Sequence, residues 1–132
     1  MSYSKIVTTA LRYDEALERV KTLLSEEGFG VLCDIDVSKT LHEKLDIEFR
    51  PYRILGACNP VLAHKALERE PQLGLLLPCN VVIQEFAGAT TVSAIDVRTL
   101  LSVVGNPELL EIADEVNARL RCVLDHLASE SV

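Results

Sequence analysis

The C-terminal part of the chain carries the feature that most constrains the fold, a long amphipathic helix. After Asn106-Pro107, apolar residues recur every three or four positions as far as Leu127, which is the spacing of one helix face. The Asn-Pro pair favours a helix start, because Asn caps a first turn and Pro suits the first helical position. The spacing predicts a helix over 107–128, whose apolar face needs an apolar wall to cover.

Five segments predict the strands that supply this wall. In the clearest of them, Val31 to Val37, apolar residues alternate with Asp34 and Asp36, which is typical of a half-buried strand. The other predicted strands are 5–9, 52–58, an apolar run over 75–85 in which Pro78 marks a strand boundary or an edge bulge, and 90–96. Strands with one polar face offer one apolar wall only. The sequence therefore predicts an α+β fold, a two-layer sandwich whose largely antiparallel sheet is covered by helices on one face.

Four more helices fit the same plan. The apolar spacing predicts helices over 13–27 and 60–69, a short one around Leu41 capped by Ser38 or Thr40, and one from Asp96 to Val104. Gly28 is a natural left-handed cap for the first of them. The chain has 132 residues, without an internal repeat or a linker, so residues 1–132 are predicted to form a single domain.

Charge and composition argue against several classes of function. The formal net charge is -7, whereas nucleic-acid binding needs a basic surface. No apolar segment approaches the roughly 20 residues that span a bilayer, and the first residues do not resemble a signal peptide. We therefore expect a cytoplasmic protein that binds neither nucleic acid nor a membrane, and whose thiols stay reduced. None of the four cysteines belongs to a C-x-x-C pair, so a zinc ribbon is not expected.

A Cys-Asn dipeptide occurs twice and forms the main candidate site. Cys58-Asn59 lies at a predicted strand-to-helix junction, and Cys79-Asn80 lies at the start of a predicted strand. A helix N-terminus lowers the pKa of a nearby thiol, and an Asn side chain can orient a polar ligand. If the two strands are neighbours, the thiols can serve as a redox pair, a soft-metal site or a nucleophile. The alternative is structural: the cysteines pack in the core and Asn59 caps a helix.

Two further side chains complete the candidate set. His64 lies one turn into the third predicted helix and can face Cys58 as a base, or it can be a solvated helix residue. Arg53 can bind an anion or form a surface ion pair. The candidate ligand-binding residues are Cys58, Asn59, Cys79, Asn80, His64 and Arg53.

Four segments of the chain resemble a known family. They are Pro51–Pro60 (PYRILGACNP), Leu76–Ile83 (LLPCNVVI), Gly28–Leu32 and Val104–Pro107. Together they resemble the bacterial family called domain of unknown function 302, over nearly the whole chain. The resemblance implies a compact α+β fold of the TBP-like kind and a homodimer, but no reaction or cofactor. The chain departs from similar sequences at Asp46, where Gly is common, and at Val97, where Pro is common.

Three functions remain open at this point. The first is a small-ligand or thiol-responsive binding protein with its site around the two Cys-Asn pairs. The second is a thiol-dependent enzyme with Cys58 or Cys79 as nucleophile and His64 as base. The third is a dimeric interaction or scaffold protein without a catalytic site. The sequence identifies neither a cofactor nor a metal.

Overall fold

A computed structural model describes residues 2–130 and shows one five-stranded sheet. The strands are β1 (Ser4–Thr9), β2 (Gly30–Asp36), β3 (Tyr52–Cys58), β4 (Cys79–Phe86) and β5 (Ala89–Ile95). Their order across the sheet is β1-β5-β4-β3-β2, and every neighbouring pair is antiparallel. The predicted antiparallel sheet is confirmed.

Within residues 2–130, five α-helices accompany the sheet. They are α1 (Tyr13–Glu26), α2 (Val37–Leu45), α3 (Pro60–Arg69), α4 (Val97–Leu101) and α5 (Leu110–Ser129). Short 3-10 turns precede β4 at Pro71–Leu76 and α5 at Pro107–Leu109. The apolar run predicted as a strand over 75–85 therefore divides between a 3-10 turn and β4. Of the two readings given for Pro78, the strand boundary is the one found. None of these helices, within residues 2–130, has the length and apolar character needed to cross a membrane.

Side-chain caps fix where the helices begin. The Asn59 carboxamide oxygen accepts a hydrogen bond from Leu62 N at 3.2 Å, and Asp96 Oδ1 accepts one from Thr99 N at 3.2 Å. Gly28 has φ +84° beyond the end of α1, as a left-handed cap requires. The cap predicted for α2 is wrong: Asp36, not Ser38 or Thr40, accepts from Lys39 N, so α2 begins earlier.

One face of the sheet forms the core together with the helices. Leu55, Val81 and Val92 are at most 1% exposed on the central strands. They belong to one cluster with buried side chains of α1 and α5, among them Leu24 and Leu127. The predicted two-layer sandwich with helices on one face is confirmed.

A β-bulge in β2 changes which residues face the helices. The pairing with β3 shifts between Val31, opposite Ala57, and Cys33, opposite Gly56. From Cys33 onward, the faces of β2 are therefore reversed relative to an unbroken alternation. Asp34 then lies on the helix face, where its Oδ2 is 3.1 Å from Lys21 Nζ of α1. The sequence pattern had placed Cys33 inward and Asp34 outward.

Candidate functional site

A small pocket lies where the ends of β3 and β4 meet the helix layer. Cys58, Asn59 and Cys79 contribute to its lining, and its volume is about 40 Å³. That volume exceeds the roughly 10–15 Å³ that one water molecule needs, and so accommodates a few non-hydrogen atoms. The remaining lining is apolar and comes mostly from the helices; it includes Phe29, Ala63, Ala66, Leu62, Leu101, Ile112 and Val116.

The β3–β4 ladder brings the two Cys-Asn motifs together. Cys79 pairs with Ala57, the residue before Cys58. Both cysteines line the same pocket, and Cys79 is the more buried of the two. The expectation that the two strands are neighbours is confirmed.

Burial keeps both thiols protonated at neutral pH. It raises the pKa of Cys79 to about 11, and the neighbouring Cys58 thiol adds to this shift. Burial also raises the pKa of Cys58. The lowered thiol pKa expected from the start of α3 is therefore wrong. The reason is that loss of solvent disfavours the thiolate, while Asn59 already binds a backbone N–H of the first turn.

Asn59 is the polar side chain of the pocket. It is 8% exposed, and its Oδ1 accepts the capping hydrogen bond from Leu62 N. Its Nδ2 lies beside Gly28, where an added Cβ would be only 3.1 Å away. The hydrogen bonds found among residues 2–130 use Oδ1 and leave Nδ2 as a donor. One side of the carboxamide thus caps α3, and the other lies beside Gly28.

The other three candidate residues lie outside the pocket lining. Asn80 is exposed and pairs with Gly56, so its side chain is on the sheet face away from the helices. His64 has a side chain that is 76% exposed, with Nε2 3.0 Å from Glu68 Oε1. This is the position of a solvated helix residue. The structure therefore brings Cys58, Asn59 and Cys79 together, but not Asn80 and His64.

Arg53 lies at the opposite end of β3 from Cys58. Its Nε is 2.9 Å from Asp34 Oδ1, without the angle of a hydrogen bond. Asp34 also pairs with Lys21, so one carboxylate links two cations at the edge of the sheet. Of the two roles predicted for Arg53, anion binding and an ion pair, the structure shows the ion pair.

Sequence reasoning missed much of the pocket wall. Val97 and Leu101 of α4 line it, as do Leu73 and Leu77 around the 3-10 turn. In the sequence, the spacing of these residues indicates ordinary core positions. No local pattern shows that they meet at the ends of β3 and β4. The one local signal was Pro78, which precedes the second motif and also lines the pocket. Among the described residues, no group of three or more His, Cys, Asp or Glu side chains is arranged to hold a metal ion.

Comparisons with known proteins agree with this fold. The family described as "Domain of unknown function DUF302" matches residues 5–127. A solved structure titled "Crystal structure of uncharacterized conserved protein DUF302 from Bacillus stearothermophilus" is similar, with a TM-score of 0.91 and 32% identity over 96% of this chain and 99% of that one. Among curated proteins, none matches. The chain therefore belongs to the DUF302 family.

Proposed function

We propose that this protein binds a small, uncharged and largely apolar ligand in the pocket lined by Cys58 and Cys79. The observation that carries the proposal is the combination of an apolar lining with two thiols whose pKa values burial raises. An uncharged pocket favours an uncharged occupant, because an ion would lose its hydration without gaining a partner.

The site has the general character of small-molecule pockets. Such sites combine a mostly apolar lining with few polar groups that orient the ligand. Here Leu62, Leu101 and Val116 provide apolar walls. The volume of about 40 Å³ limits the buried part to a few non-hydrogen atoms. The ligand is therefore a very small molecule or the end of a longer one.

The alternative of a thiol-dependent enzyme has weaker support. A cysteine nucleophile acts as thiolate, and catalytic sites lower the thiol pKa with a cation or a helix terminus. Burial raises the pKa of Cys58 and Cys79 instead. The expected base, His64, is hydrogen-bonded to Glu68 on an exposed helix surface. A binding role for protonated thiols needs neither a thiolate nor a base. It suits a reducing compartment such as the cytoplasm, where free thiols persist.

Xenon is a suitable probe, because it is small and apolar and enters dry cavities. Amide and methyl NMR spectra under xenon pressure are expected to shift for pocket residues such as Leu62 and Leu101, and not for residues of β1. In Ala63→Leu, a larger side chain fills the pocket from α3, so these shifts are expected to disappear. Ala118→Leu is the matched control, since Ala118 is exposed on α5 and outside the lining.

Two results would contradict the proposal. One is a wild-type spectrum in which xenon leaves the pocket residues unchanged. The other is an Ala63→Leu variant that keeps the same xenon shifts as Ala118→Leu. Either result means that the space beside Cys58 does not accept an apolar guest.

A further inference from the structure

A row of three polar side chains crosses one end of the sheet face that packs against the helices. Thr9 of β1 pairs with Thr90 of β5, and Thr90 pairs with Glu85 of β4. Directly paired residues on one face have their Cβ atoms about 5 Å apart. The next row on this face is apolar and packs in the core; it consists of Val7, Val92 and Ile83. The three polar residues therefore form one continuous strip at the edge of the core.

This polar row lines a groove that has the size of a small-molecule site. The volume of the groove is about 700 Å³, within the roughly 300–1,000 Å³ of typical ligand pockets. Its walls come from the start of α1, the segment before it and the β4–β5 turn; they include Leu11, Arg12, Tyr13, Asp14, Gly88 and Ala89. The groove lies at the opposite end of β4 from Cys79. Within residues 2–130, it shares no lining residue with the pocket beside Cys58.

The hydroxyl of Thr90 has no partner in the described part of the chain. Thr90 is 6% exposed, and its Oγ1 takes part in none of the hydrogen bonds found among residues 2–130. In the same range, the only fully enclosed side-chain N or O atom without a partner is Arg53 Nε. Thr90 Oγ1 therefore keeps access to the groove that it lines. Because buried hydroxyls normally find a hydrogen bond, this one is suited to a partner from outside the chain.

Thr9 adds a second acceptor to the row. It is 5% exposed, and its Oγ1 accepts a hydrogen bond from Leu11 N at 3.3 Å. A hydroxyl oxygen has two lone pairs, so this contact leaves one of them. Two nearly buried hydroxyl oxygens thus lie next to each other beside the Glu85 carboxylate.

The groove also has a surplus of negative charge. Neither Glu85 nor Asp14 forms an ion pair within residues 2–130. The cation in the described lining is Arg12, and its Nε is 2.7 Å from Glu15 Oε1 outside the groove. A positively charged occupant would therefore gain the attraction of two carboxylates that the chain itself leaves without a cation.

We infer that this groove binds the ammonium group of a small primary amine. An alkylammonium carries one positive charge and three N–H donors. The row offers three acceptors for them, the hydroxyl oxygens of Thr9 and Thr90 and the carboxylate of Glu85. The Leu11 side chain and the Tyr13 ring supply apolar surface for the alkyl chain. A metal ion fits less well, because within residues 2–130 no three His, Cys, Asp or Glu side chains are arranged to hold one.

The test compares two cations that have the same charge and the same alkyl chain. Amide NMR spectra are recorded while butylammonium chloride is added at constant ionic strength. The resonances of Thr9, Gly88 and Thr90 are expected to shift to saturation, and that of Leu62 beside Cys58 is expected to stay unchanged. Butyltrimethylammonium has no N–H donors, so it is expected to bind about tenfold more weakly or less.

Two isosteric variants separate the charge from the hydroxyl. Glu85→Gln is expected to weaken butylammonium binding about tenfold or more, whereas Glu43→Gln, on the exposed surface of α2, leaves it unchanged. Thr90→Val is expected to weaken binding about fivefold without lowering the urea midpoint, because its hydroxyl has no partner among residues 2–130. Thr91→Val is its control, since Thr91 lies on the opposite face of the sheet.

Three outcomes would overturn the inference. Amide resonances of Thr9 and Thr90 that do not shift to saturation mean that the groove does not accept an amine. Equal affinities for the two cations mean that the carboxylates attract any positive charge without a built site. Butylammonium binding to Glu85→Gln as tight as to the wild type means that the amine binds elsewhere. If Glu85→Gln fails to fold, Thr90→Val and the comparison of the two cations remain decisive.

Discussion

Cys79 lies directly opposite Ala57 across the β3–β4 ladder, and Cys58 is the next residue along β3. This step across two strands brings both cysteines to the lining of one apolar pocket. Because burial raises the pKa of each thiol, the pair forms an uncharged wall and not a nucleophile.

The first prediction concerns the order in which the thiols react. With a pKa of about 11, Cys79 holds a thiolate fraction on the order of one in ten thousand at pH 7. Iodoacetamide is expected to alkylate exposed Cys122 first, Cys58 more slowly, and Cys79 only on unfolding. Peptide mass spectrometry over time measures the three rates. A rate for Cys58 or Cys79 above that of Cys122 would support the enzyme alternative instead.

The second prediction concerns polarity inside the pocket. Cys79→Ser puts a hydroxyl in place of a buried thiol among apolar side chains. A hydroxyl without a partner there costs about 1–3 kcal/mol of unfolding free energy. Cys122→Ser is the control and is expected to change stability by less than about 0.5 kcal/mol, since Cys122 is exposed. Urea unfolding measures both, and equal stabilities would mean that Cys79 does not face an apolar environment.

The third prediction concerns the close packing of Cys33 and Pro78 against Gly56 of β3. A Cβ on Gly56 would lie 2.6 Å from Cys33 Sγ and 2.7 Å from Pro78 Cγ. Gly56→Ala is therefore expected to destabilise the fold by about 1–3 kcal/mol through overpacking. Removing Cys33 as well is expected to restore only part of this, because the Pro78 ring stays in place.

Gly74→Ala provides the matched control for that variant. In the part of the chain that the structure describes, nothing lies within 4 Å of a Cβ at Gly74, so little change in unfolding free energy is expected. If Gly56→Ala were as stable as Gly74→Ala in chemical denaturation, the close approach of Pro78 to β3 would be refuted.

The fourth prediction concerns acid stability at the start of α4. Burial would raise the pKa of Asp96, but hydrogen bonds from Asn117 and Thr99 N and the charge of Lys5 outweigh it and lower that pKa. A lowered pKa in the folded state stabilises the fold above the unfolded pKa of about 3.9, and this contribution is lost as pH falls through the folded pKa.

Asp96→Asn isolates this contribution, because Asn keeps the cap and removes the charge. The unfolding free energy of the wild type is expected to exceed that of Asp96→Asn at pH 7 and to approach it near pH 2. Urea titrations at a series of pH values measure the difference. A difference that stays constant or grows as the pH falls would contradict the assigned sign.

The fold was largely predictable because its signals are local. The Asn-Pro pairs at residues 59–60 and 106–107 mark helix starts through chemistry within one turn. The bulge between Val31 and Cys33 was not predictable, since it depends on how β2 pairs with β3. For the same reason, the sequence did not reveal that Asp34 faces the helices and pairs with Lys21.

The site was predictable in part. The recurrence of the Cys-Asn dipeptide identified Cys58, Asn59 and Cys79, and strand adjacency brings them together. The same dipeptide was misleading for Asn80, because successive side chains on a strand point to opposite faces. The thiol pKa depends on burial by α3, α4 and α5, which no local pattern reports, so the direction of the shift was missed.

The most direct test of the central claim combines the xenon probe with alkylation of the Cys58 thiol. The alkylation rate of Cys58 by iodoacetamide is measured with and without xenon, and Cys122 in the same sample serves as the internal reference. An apolar guest in the pocket is expected to slow alkylation of Cys58 and to leave Cys122 unaffected. Equal Cys58 rates, under conditions where xenon shifts the resonances of Leu62 and Leu101, would show that the guest and the thiol do not share a pocket.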